Sequence, residues 1–173
     1  MSWAPGTFKK LNNNECCDFL LSYLNNINHP KNLSDAYKNV LHYIIGSIMI
    51  TDDFRIISKK ANEILKKNNI EKLNTSKSYK KKYGLILEHT IPVSCVTDYL
   101  LKLKETKNLQ EKKLLQLLTI IRGIALITVE EDDLLTKTGL KSALPKDCSI
   151  DLLLEDNSKV PFDIRYKTAK IDY

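Results

Sequence analysis

The chain has 173 residues, of which 43% are hydrophobic and 28% are charged, and its formal net charge is +6 at pH 7. These values are typical of a single folded domain and exclude a disordered chain, and no apolar run approaches the roughly 20 residues of a membrane-spanning helix. Residues 1–10 lack the apolar core and the small-residue cleavage site of a secretory signal, so we expect a cytoplasmic protein without a membrane partner.

The first third of the chain carries apolar residues at the three- and four-residue spacing of amphipathic helices. This pattern predicts one helix over 14–28, with Asn14 as its N-cap, a second over 36–48 and a third over 54–65. We therefore expect residues 1–70 to form a helical part of the protein.

The remainder of the chain, residues 71–173, mixes short apolar runs with longer amphipathic ones. Predicted strands cover 84–88, 123–128 and 149–154, and predicted helices cover 96–104, 109–121 and 162–171. The pattern predicts one α+β domain over 1–173, in which the helical N-terminal third packs on a small sheet with further helices.

The net charge is concentrated in one segment. Residues 59–82 contain nine lysines and two glutamates, a local charge of +7 in a chain whose total is +6. Such a block can neutralise phosphates and predicts DNA or RNA as a partner, with weak sequence preference and strong salt dependence. The residues expected to contact the backbone are Lys77, Lys80, Lys81 and Lys82. The alternative is a solvated helix followed by a lysine-rich loop.

The predicted strand at 84–88 ends in a carboxylate and an imidazole. Glu88 offers oxygen ligands to a hard divalent cation, and His89 can deprotonate a water because the ordinary pKa of histidine is close to neutrality. Pro92 fixes the exit of the loop that follows. The alternative is a hydrogen-bonded histidine at a strand end.

A charged cluster follows the predicted strand 123–128. Thr128 and Glu131 have the spacing of a capping box, which predicts that a helix begins directly after this strand. The carboxylates of residues 130–133 then lie at a strand-to-helix junction, either as a capped and solvated helix start or as part of a site.

The run Glu88-His89-Thr90-Ile91-Pro92 resembles the first motif of the HNH, or ββα-metal, nucleases, in which an acidic residue and a histidine precede an apolar residue and a proline. The resemblance implies that Glu88 helps to hold Mg²⁺ or Mn²⁺. It also implies that His89 is the general base that activates water against a phosphodiester bond.

The second half of the resemblance lies at 127–132, which is similar to the family's strand followed by Thr-x-Glu-Glu-His at a helix start. Asp132 stands where that family has a histidine, and a carboxylate there can still bind Mg²⁺ or Mn²⁺. The resemblance implies that Glu131 and Asp132 complete the metal site. It covers roughly residues 84–135, with a longer separation between its halves than in the family and no assignable central asparagine.

The closing segment contains Phe162, Arg165 and Tyr166. An arginine beside an aromatic residue can contact a nucleic-acid backbone, but the same residues also suit the docking of a terminal helix onto the core. We favour docking.

Two functions follow from these patterns. The first is a metal-dependent nuclease that hydrolyses DNA or RNA, of a restriction, phage-defence or toxin type. The second is a binding protein without catalysis, either an immunity or antitoxin partner or a basic nucleic-acid-binding module. The first function requires the strands at 84–88 and 123–128 to be neighbours and to bring His89 close to Glu131 or Asp132.

Overall fold

The computed structural model describes residues 8–26, 35–74, 79–155 and 163–173. Its strands are β1 (Phe54–Ile57), β2 (Leu85–His89) and β3 (Ile124–Thr128). Its α-helices are α1 (Asn13–Asn26), α2 (Asp35–Met49), α3 (Lys59–Lys67), α4 (Lys80–Tyr83), α5 (Val93–Glu105), α6 (Glu111–Ile121), α7 (Val129–Lys137), α8 (Ile150–Glu155) and α9 (Ile164–Thr168). These elements confirm the α+β class.

The three strands form one mixed sheet with β3 in the centre. β1 pairs with β3 in parallel, whereas β2 pairs with β3 antiparallel. All five residues of β3 are buried, as expected for a strand that is covered on both faces. The predicted pairing of the strands at 84–88 and 123–128 is therefore confirmed.

Helices α1, α2, α5 and α6 contribute most of the largest hydrophobic core. Leu20, Ile45, Leu100 and Leu118, one from each of these helices, are fully buried. The helices pack in pairs, α1 on α6 and α2 on α5. Burial of each such side chain stabilises the fold by about 1.5–3 kcal/mol, so the amphipathic patterns seen in the sequence account for this layer.

Smaller clusters cover the two faces of the sheet. Alternation along β3 directs Ala125 and Ile127 to one face, where they pack with residues of α7 and α9, and Leu126 to the other. On the second face Ala61 of α3 and Tyr79, just before α4, join the cluster around Leu126. Helices α3 and α4 therefore pack on the same face of the sheet.

The predicted helix over 54–65 is wrong in its first four residues, which form β1. Helix α3 begins only after the N-cap Ser58, whose Oγ accepts a backbone hydrogen bond from the first turn. Phe54 and Ile57 have helical spacing, but a run of four residues is too short for its period to separate a helix from a strand. The part predicted to be helical, 1–70, thus contributes a strand to the sheet.

The predicted strand over 149–154 is also wrong, because this segment forms α8. Ile150 and Leu153 lie three residues apart, and both are buried against the helical core. The hydroxyl of Ser149 accepts a hydrogen bond from the N–H of Leu152 at 3.3 Å, which stabilises the first turn.

Helix α1 is capped by Asn12 instead of the predicted Asn14. The Asn12 Oδ1 accepts from the Glu15 N–H at 3.0 Å, and the Glu15 carboxylate accepts from the Asn12 N–H at 2.7 Å. Three consecutive asparagines offer the same cap, but only Asn12 has a glutamate three residues later to complete a capping box.

The C-terminal helix predicted over 162–171 is present as the shorter α9, and residue 162 lies outside the described residues. Within the described ranges, no helix combines the length and the apolar character that crossing a membrane requires.

Candidate functional site

His89 lies at the opposite end of β2 from the first turn of α7. The antiparallel register places His89 opposite Ile124 and Leu85 opposite Thr128, so His89 is about 13 Å along the sheet from the start of α7. The prediction that His89 lies close to Glu131 is therefore wrong, because the Glu131 carboxylate lies at the Thr128 end of β3. Its proximity to Asp132 stays a prediction. Pairing of the two strands was expected, but the antiparallel direction separates the histidine from the acidic junction.

The imidazole of His89 is bound to helix α2. Its Nε2 lies 3.1 Å from the backbone oxygen of Gly46. Because a carbonyl oxygen only accepts hydrogen bonds, this contact assigns the proton to Nε2. Burial lowers the pKa of His89, the hydrogen bond to Gly46 opposes this, and the Arg165 charge adds to the lowering. The neutral imidazole thus joins the end of β2 to α2.

We expect the free energy of unfolding to decrease as the pH falls below 6.5, the ordinary pKa of histidine. The unfolded chain binds a proton at His89 near that pH, whereas the folded protein binds it only at lower pH, so acidification favours unfolding. Above pH 6.5 the stabilising contribution is fully present. Urea denaturation from about pH 8 to about pH 5 measures this dependence.

The matched variants for this prediction are His89→Gln and His42→Gln. His42 is exposed on α2 and its charge is the smallest of the causes that shift the pKa of His89, so its replacement should leave most of the decrease in stability, whereas His89→Gln should remove it. If wild type and His89→Gln show the same pH dependence, the buried imidazole is not its source.

Glu88 is paired with a buried arginine. Arg165 of α9 is fully buried, and its Nη2 donates to the Glu88 Oε1 at 3.3 Å. The same guanidinium donates to the backbone oxygens of His89 and Leu140, each at 2.9 Å. Burial raises the pKa of Glu88, and the charge of Arg165 opposes that rise. The favoured interpretation of Arg165 as a docking residue is confirmed, and Glu88 is its ionic partner.

The Glu131 carboxylate accepts hydrogen bonds from the N-cap residues of two helices. Its Oε2 accepts from the Ser58 Oγ at 2.6 Å and from the Thr128 N–H at 2.8 Å. The Thr128 Oγ1 accepts from the Glu131 N–H in return, so the predicted capping box is confirmed. Since Ser58 is the N-cap of α3, Glu131 links the first turns of α3 and α7.

Asp132 lies on the β2 side of α7 and is almost completely buried. Its Oδ2 accepts from the Lys141 Nζ at 2.5 Å, and its charge acts on the pKa of Glu88. The two carboxylates therefore belong to one electrostatic cluster, together with Lys141 and Arg165. In the described part of the chain, no three His, Cys, Asp or Glu side chains are grouped to hold a metal ion, so Glu88, Glu131 and Asp132 do not form the expected ligand set.

The lysine-rich segment forms an exposed surface on α3 and α4, which we call the basic surface. Its members are the exposed residues Lys59, Lys60, Lys66, Lys67, Lys80, Lys81 and Lys82. Both helices pack on the Leu126 face of the sheet. Of the predicted contact residues, Lys80, Lys81 and Lys82 lie on α4, and Lys77 lies outside the described residues.

Aromatic and acidic groups accompany the basic surface. The Lys82 ammonium lies 4.9 Å from the centre of the Tyr83 ring, in a cation–π contact. Lys59 approaches the Asp172 carboxylate at 3.8 Å, and both side chains are well exposed, so this pair neutralises little of the charge.

Sequence reasoning missed Ser58 and Lys141 as partners of the acidic residues. Ser58 lies 73 residues before Glu131. Lys141 is nine residues after Asp132, beyond the helix that Asp132 begins. An N-cap serine before an amphipathic run was the available signal for Ser58, but the run was assigned to a longer helix.

The chain matches no family model, no curated protein and no solved structure.

Proposed function

We propose that this protein binds nucleic acid without cleaving it, and that the basic surface holds the phosphate backbone. The observation that carries the proposal is the placement of seven exposed lysines on two helices that share one face of the sheet. Lysines that neutralise phosphates release condensed counterions, which supplies affinity for any sequence.

The state of the candidate catalytic residues favours binding over catalysis. The His89 Nε2 is engaged with Gly46, and the Glu88 carboxylate is paired with Arg165. The Glu131 carboxylate completes a capping box and accepts from Ser58. Each of these groups has a structural partner, and the imidazole and the carboxylate of Glu131 lie at opposite ends of β3.

The test of binding is the triple variant Lys80→Ala, Lys81→Ala and Lys82→Ala. We expect its affinity for a single-stranded oligonucleotide at low salt to be lower by about tenfold or more. The slope of log affinity against log salt should become shallower by about 2, because each lost contact on a single strand contributes about 0.7. Fluorescence anisotropy over a salt series measures both quantities.

A second triple variant controls for net charge. Lys102, Lys112 and Lys146 are exposed on α5, on α6 and in the loop before α8, away from the basic surface. Their replacement by alanine removes the same total charge, but it should change the salt slope much less. Equal effects of the two triple variants would show that overall charge, and not the basic surface, determines binding.

Metal-dependent cleavage of DNA or RNA is the competing proposal. One feature favours it: the charge of Asp132 adds to the rise in the pKa of Glu88, so the two carboxylates that the resemblance expects to share a cation act on each other electrostatically. We expect labelled DNA and RNA to stay intact with wild-type protein in Mg²⁺ or Mn²⁺. Cleavage that disappears in His89→Gln, with unchanged thermal stability, would replace binding by catalysis as the function.

A further inference from the structure

A cavity of about 300 Å³ lies beside the basic surface, between α4, β2 and α7. It is lined by Tyr79, Lys80, Leu85, Ile86, Leu87, Asp132 and Lys141. Consecutive strand residues alternate between the faces of a sheet, so a cavity lined by three consecutive residues of β2 follows the edge of that strand. In the described sheet β2 is an edge strand, which leaves this side open to a ligand.

One carboxylate that lines the cavity has an oxygen without a hydrogen-bond partner. Asp132 is only 6% exposed, and its Oδ2 is bound by Lys141. Its Oδ1 is buried and has no hydrogen-bond partner. Because a buried carboxylate oxygen without a donor destabilises the protein, a ligand N–H is bound favourably once a small rotation of the carboxylate turns this oxygen to the cavity.

We infer that this cavity accepts an unpaired nucleobase from a single strand whose phosphates lie on the basic surface. The inference rests on the proposed function and specifies its ligand. A nucleobase has apolar faces, which suit the side chains of Tyr79 and Leu87 on one face of the sheet, and an edge where hydrogen-bond donors and acceptors lie side by side. Asp132 offers an acceptor to that edge, and Lys141 beside it offers a donor.

Lys80 connects the cavity to the phosphate contacts. It lines the cavity and is also a member of the basic surface, so a base in the cavity would place its own phosphate among the lysines of α4. In a duplex the same base edge is engaged in base pairing. The cavity therefore selects single strands over duplexes.

The test compares a single strand with a duplex of the same length at one salt concentration. Phosphate contacts alone favour the duplex, which has the higher charge density. We expect wild type to bind the single strand more tightly by roughly tenfold, because a base donates to the buried carboxylate. Fluorescence anisotropy measures both affinities.

The variants Asp132→Asn and Asp133→Asn separate the cavity from net charge. Both remove one negative charge, but Asp133 is exposed and does not line the cavity. Asp132→Asn replaces one carboxylate oxygen by an amide NH₂ group, which donates hydrogen bonds instead of accepting them. This variant should therefore lose the preference for single strands, whereas Asp133→Asn should keep it. The salt slope should be the same in both variants, since neither removes a lysine.

A second measurement needs no variant. A strand with one photoreactive 4-thio base should crosslink to Tyr79 or Leu87 in wild-type protein, as located by mass spectrometry. Crosslinks only to lysines of α3, or equal affinity for single strand and duplex, would overturn the cavity inference and leave backbone binding standing. Displacement of the strand by an equal concentration of mononucleotide would also overturn it, because the phosphates of the strand would then add nothing to the affinity of a single base. If neither nucleic acid binds, both the inference and the proposed function fail.

Discussion

Replacement of Arg165 by methionine is expected to lower the free energy of unfolding by about 3–5 kcal/mol, the range typical of breaking a buried ion pair by removal of one partner. Arg165 is fully buried and donates to the Glu88 carboxylate and to the backbone oxygens of His89 and Leu140. Methionine fills much of the same volume but leaves the Glu88 carboxylate and the Leu140 oxygen without the donors of the guanidinium. The Tyr166 hydroxyl still donates to the His89 oxygen at 3.4 Å. Urea denaturation at neutral pH measures the loss.

Two further variants show whether the ion pair is the cause. Lys170→Met lies directly after the same helix, where the Lys170 side chain is exposed, so it should change stability by less than about 1 kcal/mol. The double variant Arg165→Met with Glu88→Leu should be more stable than Arg165→Met alone, because it no longer buries an unpaired carboxylate. If the double variant is the less stable of the two, Arg165 does not act through Glu88.

The helical core and the central strand were predictable because their patterns are long or unambiguous. Helices α2 and α6 repeat apolar residues over several turns, and all five residues of β3 are buried. Shorter elements were not predictable in the same way. The four residues of β1 and the six of α8 contain too few periods, and tertiary packing decides their conformation.

The acidic and histidine residues of the candidate site were found from the sequence, but their partners were not. Local spacing revealed the capping box of Thr128 and Glu131, since both residues lie within one helical turn. The pairing of Glu88 with Arg165 spans 77 residues and leaves no periodic trace. The antiparallel pairing of β2 with β3 could not be predicted either, because an apolar run predicts a strand but not the direction of its neighbour.

The same partners change what the motif implies about chemistry. A metal ligand needs a carboxylate that is free to bind the cation, and a general base needs a nitrogen within reach of water. The Glu88 carboxylate is paired with a guanidinium, and the His89 Nε2 is bound to a carbonyl oxygen. The residue types resemble a nuclease motif, whereas their contacts are those of a structural junction.

Replacement of Glu131 by alanine is expected to destabilise the protein by about 2–4 kcal/mol. The variant loses the capping box of α7 and leaves the Ser58 hydroxyl and the Thr128 N–H buried without their acceptor, each at a cost of about 1–3 kcal/mol. For a chain of this length the melting temperature should fall by roughly 5–15 °C. Glu130→Ala is the matched control, because Glu130 is exposed in the same turn and its replacement should change the melting temperature little.

The effect of Glu131→Ala should extend from α7 to the basic surface, because Ser58 both donates to Glu131 and caps α3. Loss of the hydrogen bond from Ser58 should increase local opening at the first turn of α3, where Lys59 and Lys60 lie. The increase should be smaller in α6, because α6 belongs to the separate helical core. Hydrogen exchange measured peptide by peptide tests this at a temperature where the variant remains folded. A uniform increase over α3 and α6 would instead show that Glu131 stabilises the whole domain and does not specifically anchor α3, which carries four of the seven lysines of the basic surface.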